Sequence, residues 1–327
     1  MSRPLAPGAV LVVAEDRDAT ADLVVRELER RERPVMRFDL ADFPAHLALS
    51  IDHGGSPWRG VLEDGLRRVR VEEVGAVYYR RPRPPAGPEL LDEPYRTWAG
   101  QQALSGLLGA LYALPASVVW LNRPDVDAIA AHKPGQLPVA AQYGLHTPRT
   151  LITNDPAMAR EWCAELGAPV VCKPLSGGPL DHGDGRRQAV PTHLIDPAEL
   201  DDTVKLTAHL FQEWVPKAYE VRLTVVGRRC MATEIHAGSD AAYEDWRTDY
   251  DALTYKPCDV PARVRAGVLA WLDHFGLSYG AFDFAVTDSG RWTFLECNPS
   301  GQWGWIEARA GLPITAAITD FLTRSKL

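Results

Sequence analysis

The chain lacks the marks of several common protein classes. Its five cysteines, Cys163, Cys172, Cys230, Cys258 and Cys297, include no C-x-x-C pair. An odd, scattered set in a chain this long gives no disulfide framework, so reduced thiols are expected. No apolar run approaches the roughly 20 residues that a bilayer-spanning helix needs. The first apolar run is broken by Glu15, Asp16 and Asp18, unlike the core of a secretory signal, and a cytoplasmic location is the expectation. The nine histidines contain no H-E-x-x-H and no close pair at helical spacing, which leaves zinc hydrolysis without support. A net charge of -8 opposes a nucleic-acid partner, because phosphates are drawn to basic surfaces. The opening strand ends in Ala14-Glu15-Asp16 without G-x-G-x-x-G, so nothing there indicates a dinucleotide site.

What is present is an ordinary globular composition over 327 residues, too long for one core of typical size and suited to two or three packed subdomains. Val10 to Ala14 reads as a strand, Thr20 as the cap of a helix running to about Arg31, and Val35 to Phe38 as a second strand, a βαβ opening. A strand around Ala76 to Tyr79 leads into the proline-rich stretch Arg81 to Pro88, and a helix from about Tyr95 to Leu114 stops before Pro115. We expect a first unit over 1–115, a central unit over 116–190 and a last unit over 191–327. The central unit should hold a helix from about Asp155 to Leu166, a strand at Pro169 to Lys173 and a glycine-rich lid from Ser176-Gly177-Gly178-Pro179 through Gly183-Asp184-Gly185. The last unit reads as antiparallel strands at His209 to Trp214, Val221 to Val226 and Cys230 to His236, then a helix from about Pro261 to Phe275. A hairpin of Gly280 to Thr287 and Trp292 to Cys297 turns at Asp288-Ser289-Gly290. Helices from about Trp303 and Ile314 follow. The predicted fold class is mixed α/β.

The residues with the most chemistry lie on that hairpin. Side chains alternate along a strand, so Glu296 and Asn298 share a face, and pairing can bring Asp283 to it. Two carboxylates and an amide in apolar surroundings suit magnesium, which keeps its remaining ligands for water and phosphate. Taken alone, Asp283 and Glu296 also read as half-exposed strand residues and Asn298 as a turn former before proline. Their company shifts the balance: Lys133 opens Lys133-Pro134-Gly135-Gln136-Leu137, and Lys173 closes an apolar strand before the glycine-rich loop, where a flexible point charge reaches phosphate oxygens. His182 and His236 read as polar surface residues, Cys297 as a packing thiol on the face opposite the ligands, and Trp303 and Trp305 as packing for the C-terminal helix.

These strings, together with Thr147 to Asn154, Phe211-Gln212-Glu213-Trp214-Val215, Glu220 to Gly227, Asp245-Trp246-Arg247 and Phe294 to Trp303, occur in an order and spacing that resembles the ATP-grasp peptide maturases, the microviridin ligases and their actinobacterial relatives. The resemblance covers nearly the whole chain. It implies an ATP-grasp fold with an N-terminal βαβ domain, a small central α/β subdomain and a C-terminal antiparallel-sheet subdomain. It implies that Lys133 and Lys173 hold the phosphates of ATP, that Gln212, Glu213, Trp214 and Val215 form the hinge reading adenine, and that Glu220 meets the ribose. Asp283, Glu296 and Asn298 would hold Mg2+, with Arg222 and Arg247 near the γ-phosphate. Both arginines also fit ordinary surface ion pairs.

The implied partner is a ribosomal precursor peptide with a leader and an acidic core, whose Asp or Glu side chains are joined to Thr, Ser or Lys as esters or amides. Homodimers are common among the proteins it resembles. The strip Arg80-Arg81-Pro82-Arg83 could receive acidic peptide side chains, with Arg80 and Arg81 as substrate residues, or form a solvated turn. Two alternatives remain open from the sequence: a ligase for free amino acids, protein termini or small metabolites, and a non-catalytic peptide-binding module. Both lysines and all three proposed ligands are present, which argues against the second.

Overall fold

Every residue of β1 (Ala9–Ala14) is buried, as a strand covered on both faces must be. The computed structural model describes residues 2–324 apart from 56, 179, 184, 185 and 189. β1 runs parallel to β2 (Val35–Phe38) and β3 (Val74–Arg80), and β4 (Val119–Leu121) extends the sheet beside β3, in the order β2-β1-β3-β4. The first sheet therefore closes beyond Pro115. Between β1 and β2 lies α1 (Ala19–Arg30), capped by Asp18, whose carboxylate accepts from the Ala21 amide at 2.9 Å. The expected cap, Thr20, is already inside the first turn. Strands Ala48–Asp52, Arg59–Glu63 and Arg67–Arg70 form an antiparallel meander edged by Arg3–Pro4. α2 (Tyr95–Tyr112) buries Leu107 and Leu111 against the first sheet.

Two short helices, α3 (Pro124–Ala130) and α4 (Lys133–Gln142), lead into a four-stranded antiparallel sheet. It is built from β5 (Thr150–Thr153), β6 (Val170–Lys173), β7 (His193–Ile195) and β8 (His209–Glu213) in the order β7-β6-β8-β5. α5 (Pro156–Leu166) covers it, capped by Asp155 and stopped at Gly167, whose φ of 60° is a left-handed conformation that glycine adopts freely. Of the expected glycine-rich lid, Pro179, Asp184 and Gly185 lie outside the described residues. Within the same stretch Leu180–Asp181 pairs with Arg187–Gln188 as a short ribbon.

The last sheet is antiparallel: β9 (Tyr219–Val226), β10 (Arg229–Ala237), β11 (Leu253–Cys258), β12 (Tyr279–Val286) and β13 (Trp292–Asn298), ordered β11-β10-β9-β12-β13. α6 (Ala262–Phe275) packs Trp271 and Leu272 onto Phe282, Phe284 and Phe294. The chain then returns through α7 (Gly304–Ala310) and α8 (Ile314–Leu322), which sets Ile314, Ile318 and Phe321 against Val24 and Leu28 of α1 in one core with Val226 and Ala281. That shared core locks the last sheet to the first.

Phe282 is fully buried at the centre of the aromatic cluster. Phe282→Ala is expected to cost about 3–5 kcal/mol, read as a fall in the urea denaturation midpoint. A loss below about 1 kcal/mol would contradict this packing.

Candidate active site

Asp283 and Glu296 stand directly opposite each other in the β12–β13 register, with a bulge after Asp283. Both are buried. Two like charges in that position require compensation, and the fold brings it from three directions. Arg222 of β9 is in register with Asp283 and pairs with its carboxylate at 2.7 Å. Lys133, at the start of α4, reaches Glu296 at 3.0 Å and donates to the Pro174 carbonyl at 2.7 Å. Arg247 is held by a fork of hydrogen bonds to Asp245 at 2.8 and 2.9 Å and lies 3.7 Å from Glu296. The Asn298 amide is 3.5 Å from Asp283 and 3.3 Å from Glu296, so the three sequence-predicted metal ligands converge.

Their electrostatics differ. Burial pushes the Asp283 carboxyl up, and the nearby Glu296 charge adds to the rise that Arg222 opposes. Burial acts the same way on Glu296, but Lys133, Arg247 and Lys173 outweigh it and hold that carboxyl far below the usual range. Arg222 also lies over the rings of Trp246 and Trp305, 5.4 and 5.9 Å from their centroids, so its desolvated guanidinium is offset by ring faces as well as by charge. Among the described residues no three His, Cys, Asp or Glu side chains converge on a metal position. Two carboxylates and one amide, all oxygen donors once the Asn298 amide is turned to present its oxygen, form a set that fits magnesium rather than a softer metal.

Beside this cluster a narrow pocket opens between the central and last sheets. Gln212, Glu213, Trp214 and Val215 line one wall, and Val171, Ala285 and Leu295 supply apolar surface. Lys173 is at its base, 3.0 Å from Gln212 Oε1. Burial, reinforced by the charge of Lys133, pulls the Lys173 ammonium down to about 8 against the pull of Glu296. Glu220 is paired with Lys217, whose ammonium lies 4.8 Å over the Trp214 ring. A wider cleft adjoins the pocket, with Lys133, Glu296, Asn298, Arg81, Gly177 and Gly178 along it. The structure thus brings together Lys133, Lys173, the Gln212-to-Val215 segment, Glu220, Arg222, Arg247 and the three acidic and amide residues.

Arg80 departs from its expectation. It is 2% exposed, paired with Asp18 at 2.8 Å, and donates to Gln302, so it presents no charge to an approaching peptide. The guanidinium is buried because Asp18 at the start of α1 and Gln302 in the loop after β13 close over it. Arg81, at φ 46°, turns the chain outward and lines the cleft. Trp303 packs as expected in the core shared with α8, whereas Trp305 lies against Arg222 and Trp246. Cys297 is buried among apolar side chains. His182 bonds Gln188, and His236 bonds Glu234 and lies against Tyr219.

One residue without a role in the sequence reading is Gln136. β13 is an edge strand, and an edge leaves backbone groups unpaired. His146 covers it at the Phe294 amide, 2.7 Å away. Gln136 covers it at Cys297, donating to the carbonyl at 2.8 Å and accepting from the amide at 2.9 Å. A single side-chain amide thereby pairs with the backbone between Glu296 and Asn298. The signal was its place one helical turn after Lys133.

A family profile described as the MvdD pre-ATP grasp domain matches residues 9–127. The macrocyclase MdnC from Microcystis aeruginosa MRC, solved bound with precursor peptide MdnA, is 30% identical, with a TM-score of 0.82 over 96% of this chain and 98% of that one. A RiPP-associated ATP-grasp ligase from Chryseobacterium gregarium, solved with ADP and a leader and core peptide, is 27% identical, with a TM-score of 0.87 over 96% of each chain. The macrocyclase MdnB from the same Microcystis strain is 26% identical, with a TM-score of 0.79 over 98% of this chain and 100% of that one. No curated protein matches the sequence.

Gln136→Leu strands the Cys297 amide and carbonyl, and is expected to cost about 1–3 kcal/mol for each group. Chemical denaturation measures the total, and hydrogen exchange at Cys297 should accelerate while exchange in β1 stays slow. Unchanged exchange at Cys297 would show that the amide pairing is not formed.

Proposed function

The chain belongs to the ATP-grasp macrocyclases that mature ribosomally made peptides, and from that premise we propose that it phosphorylates Asp or Glu side chains of a precursor peptide and joins them to Thr, Ser or Lys side chains. The observation that carries this reading is the buried Asp283–Glu296–Asn298 cluster, ringed by Lys133, Arg222 and Arg247 and open to the pocket above Lys173. The Gln212-to-Val215 wall would take the adenine of ATP, Glu220 the ribose, and Lys133 and Lys173 the phosphates. The wider cleft, edged by Arg81, would receive the acidic core of a peptide that also carries a leader. A cytoplasmic setting and a homodimeric assembly belong to the same reading. Three units would divide the work, the last sheet supplying the acidic cluster and the central sheet the lysine-bearing wall, with their borders displaced from those expected because β4 joins the first sheet and β7 and β8 (His209–Glu213) join the central one.

The chemistry follows from the leaving group. A carboxylate resists attack because it would expel oxide, whereas an acyl phosphate expels a stable phosphate. Magnesium held by Asp283, Glu296 and Asn298 would neutralise phosphate charge. Arg222 and Arg247 would meet charge developing on the transferred group, each with its orientation fixed by a carboxylate, so that acceleration comes from positioning and preorganised electrostatics. No side chain needs to form a covalent intermediate. Among the described residues no helix is long and apolar enough to cross a membrane.

Two outcomes test this. Incubated with a candidate precursor, ATP and Mg2+, the protein should remove the mass of one water per bond formed, and Glu296→Gln should abolish the loss. An unchanged peptide mass, with ATP consumed when amino acids or metabolites are supplied, would point to a small-substrate ligase instead. The pH dependence follows from Lys173. Below pH 8 the free protein already carries the charged ammonium, and above it a proton must be taken up on binding phosphate. The ADP dissociation constant should therefore rise by up to about tenfold per pH unit above 8, with a flat profile in Lys173→Met. An equally steep rise in that variant would assign the titration elsewhere.

A further inference from the structure

The five residues that follow Asn298 are each hydrogen-bonded to a residue distant in sequence. The Pro299 carbonyl accepts from Asn122 at 2.9 Å. The Ser300 hydroxyl donates to Asp127 at 3.0 Å, and its carbonyl accepts from Arg81 at 3.2 Å. The Gly301 carbonyl accepts from the Tyr279 hydroxyl at 2.8 Å. The Gln302 side-chain oxygen accepts from Arg80, and the Trp303 indole donates to Tyr78 at 3.1 Å. Nothing larger than glycine fits at 301, where a Cβ would stand 2.5 Å from that of Ala281. All but Tyr279 among these partners belong to the first sheet or the two residues and helix adjoining it.

Arg80 is the most constrained of them. One oxygen of Asp18 caps α1 and the other pairs with Arg80, so the guanidinium is fixed by the start of a helix. A buried ion pair is poor value as a stabiliser, and this one is aimed at a side chain beneath the acidic cluster. The Gln302 carbonyl is also 3.5 Å from Arg222, which connects the same residue to the partner of Asp283. We propose that Gln302, held by Arg80, is a positioning residue for the cation site: it sets the path of the loop that ends β13 and thereby the place of Asn298 and Glu296. Arg80 thus serves the site from below, through the loop, without touching substrate. The inference rests on the proposed nucleotide and magnesium site.

Gln302→Ala removes the link while leaving the Asp18–Arg80 pair and the backbone bond to Arg222 in place, and Gln302→Glu keeps an acceptor oxygen for Arg80. The experiment is calorimetric titration of ADP over a Mg2+ series for the wild type and both variants, with thermal midpoints recorded for each. In Gln302→Ala the Mg2+ concentration giving half-maximal enhancement of ADP binding should rise by roughly tenfold or more, the usual effect of removing a residue that orients a metal ligand. ADP binding without Mg2+ and the thermal midpoint should stay near wild type, and Gln302→Glu should recover most of the Mg2+ response. The proposal is overturned if the Mg2+ dependence of Gln302→Ala matches wild type, if Gln302→Glu is impaired as deeply as the alanine variant, or if ADP binding without Mg2+ falls in parallel. A wild type that binds no ADP with Mg2+ present would instead remove the nucleotide reading on which the proposal stands.

Discussion

Two carboxylates face each other across a pair of buried antiparallel strands, and much of the molecule is arranged around that unfavourable contact. Asp283 and Glu296 cannot move apart, because the register of β12 and β13 opposes them, and little of either meets water, because both are buried apart from the edge that Glu296 shows to the cleft. The repulsion is answered by cations carried on separate elements: Arg222 on the neighbouring strand, Lys133 at a helix start, and Arg247 after β10. In a medium of low polarity such pairs interact strongly only while each remains in place. Losing any one cation leaves an uncompensated charge rather than a small deficit.

That demand explains the care with which the cations themselves are held. Arg247 is forked onto Asp245, whose carboxylate also accepts from the Thr192 amide. Arg222 is bracketed by Trp246 and Trp305, and those two rings are themselves in contact at 5.1 Å. Lys133 is anchored on a backbone carbonyl. The strand bearing Glu296 and Asn298 is closed along its outer edge by His146 and Gln136, and the Gln136 carbonyl in turn accepts from the buried Trp271 indole at 3.3 Å. Gln136 and Trp271 thereby link the strand carrying the carboxylates to the aromatic core, so rigidity there is drawn in part from packing several layers away.

The first sheet participates although it contributes none of the clustered charges. Asn122 spans the junction, accepting from the Ser278 and Tyr279 amides and donating to the Tyr279 and Pro299 carbonyls, which satisfies all four of its hydrogen-bonding positions in a buried place. α8 closes the same junction with apolar side chains. The cluster is consequently built by the last sheet but located by the first.

The sequence by itself determined the strands and helices with strong periodicity, the hairpin at Asp288-Ser289-Gly290, and the alternation that puts Glu296 and Asn298 on one face. Those features follow from local spacing, which a chain carries in any context. It also carried the strings whose order marks the family. Tertiary structure decided the rest. Whether Arg80 faces solvent or core depends on Asp18 and Gln302, both distant in sequence, closing over it, and Asp18 takes the helix cap from Thr20 because α1 begins at Ala19. Trp305 reads as helix packing until the fold lays it against Arg222, and β4 is too short to announce its pairing with β3. Gln136 is an unremarkable polar residue until β13, 161 positions away, supplies an unpaired edge for its amide. Contacts of that reach are fixed by three-dimensional packing, and no periodicity along the chain encodes them.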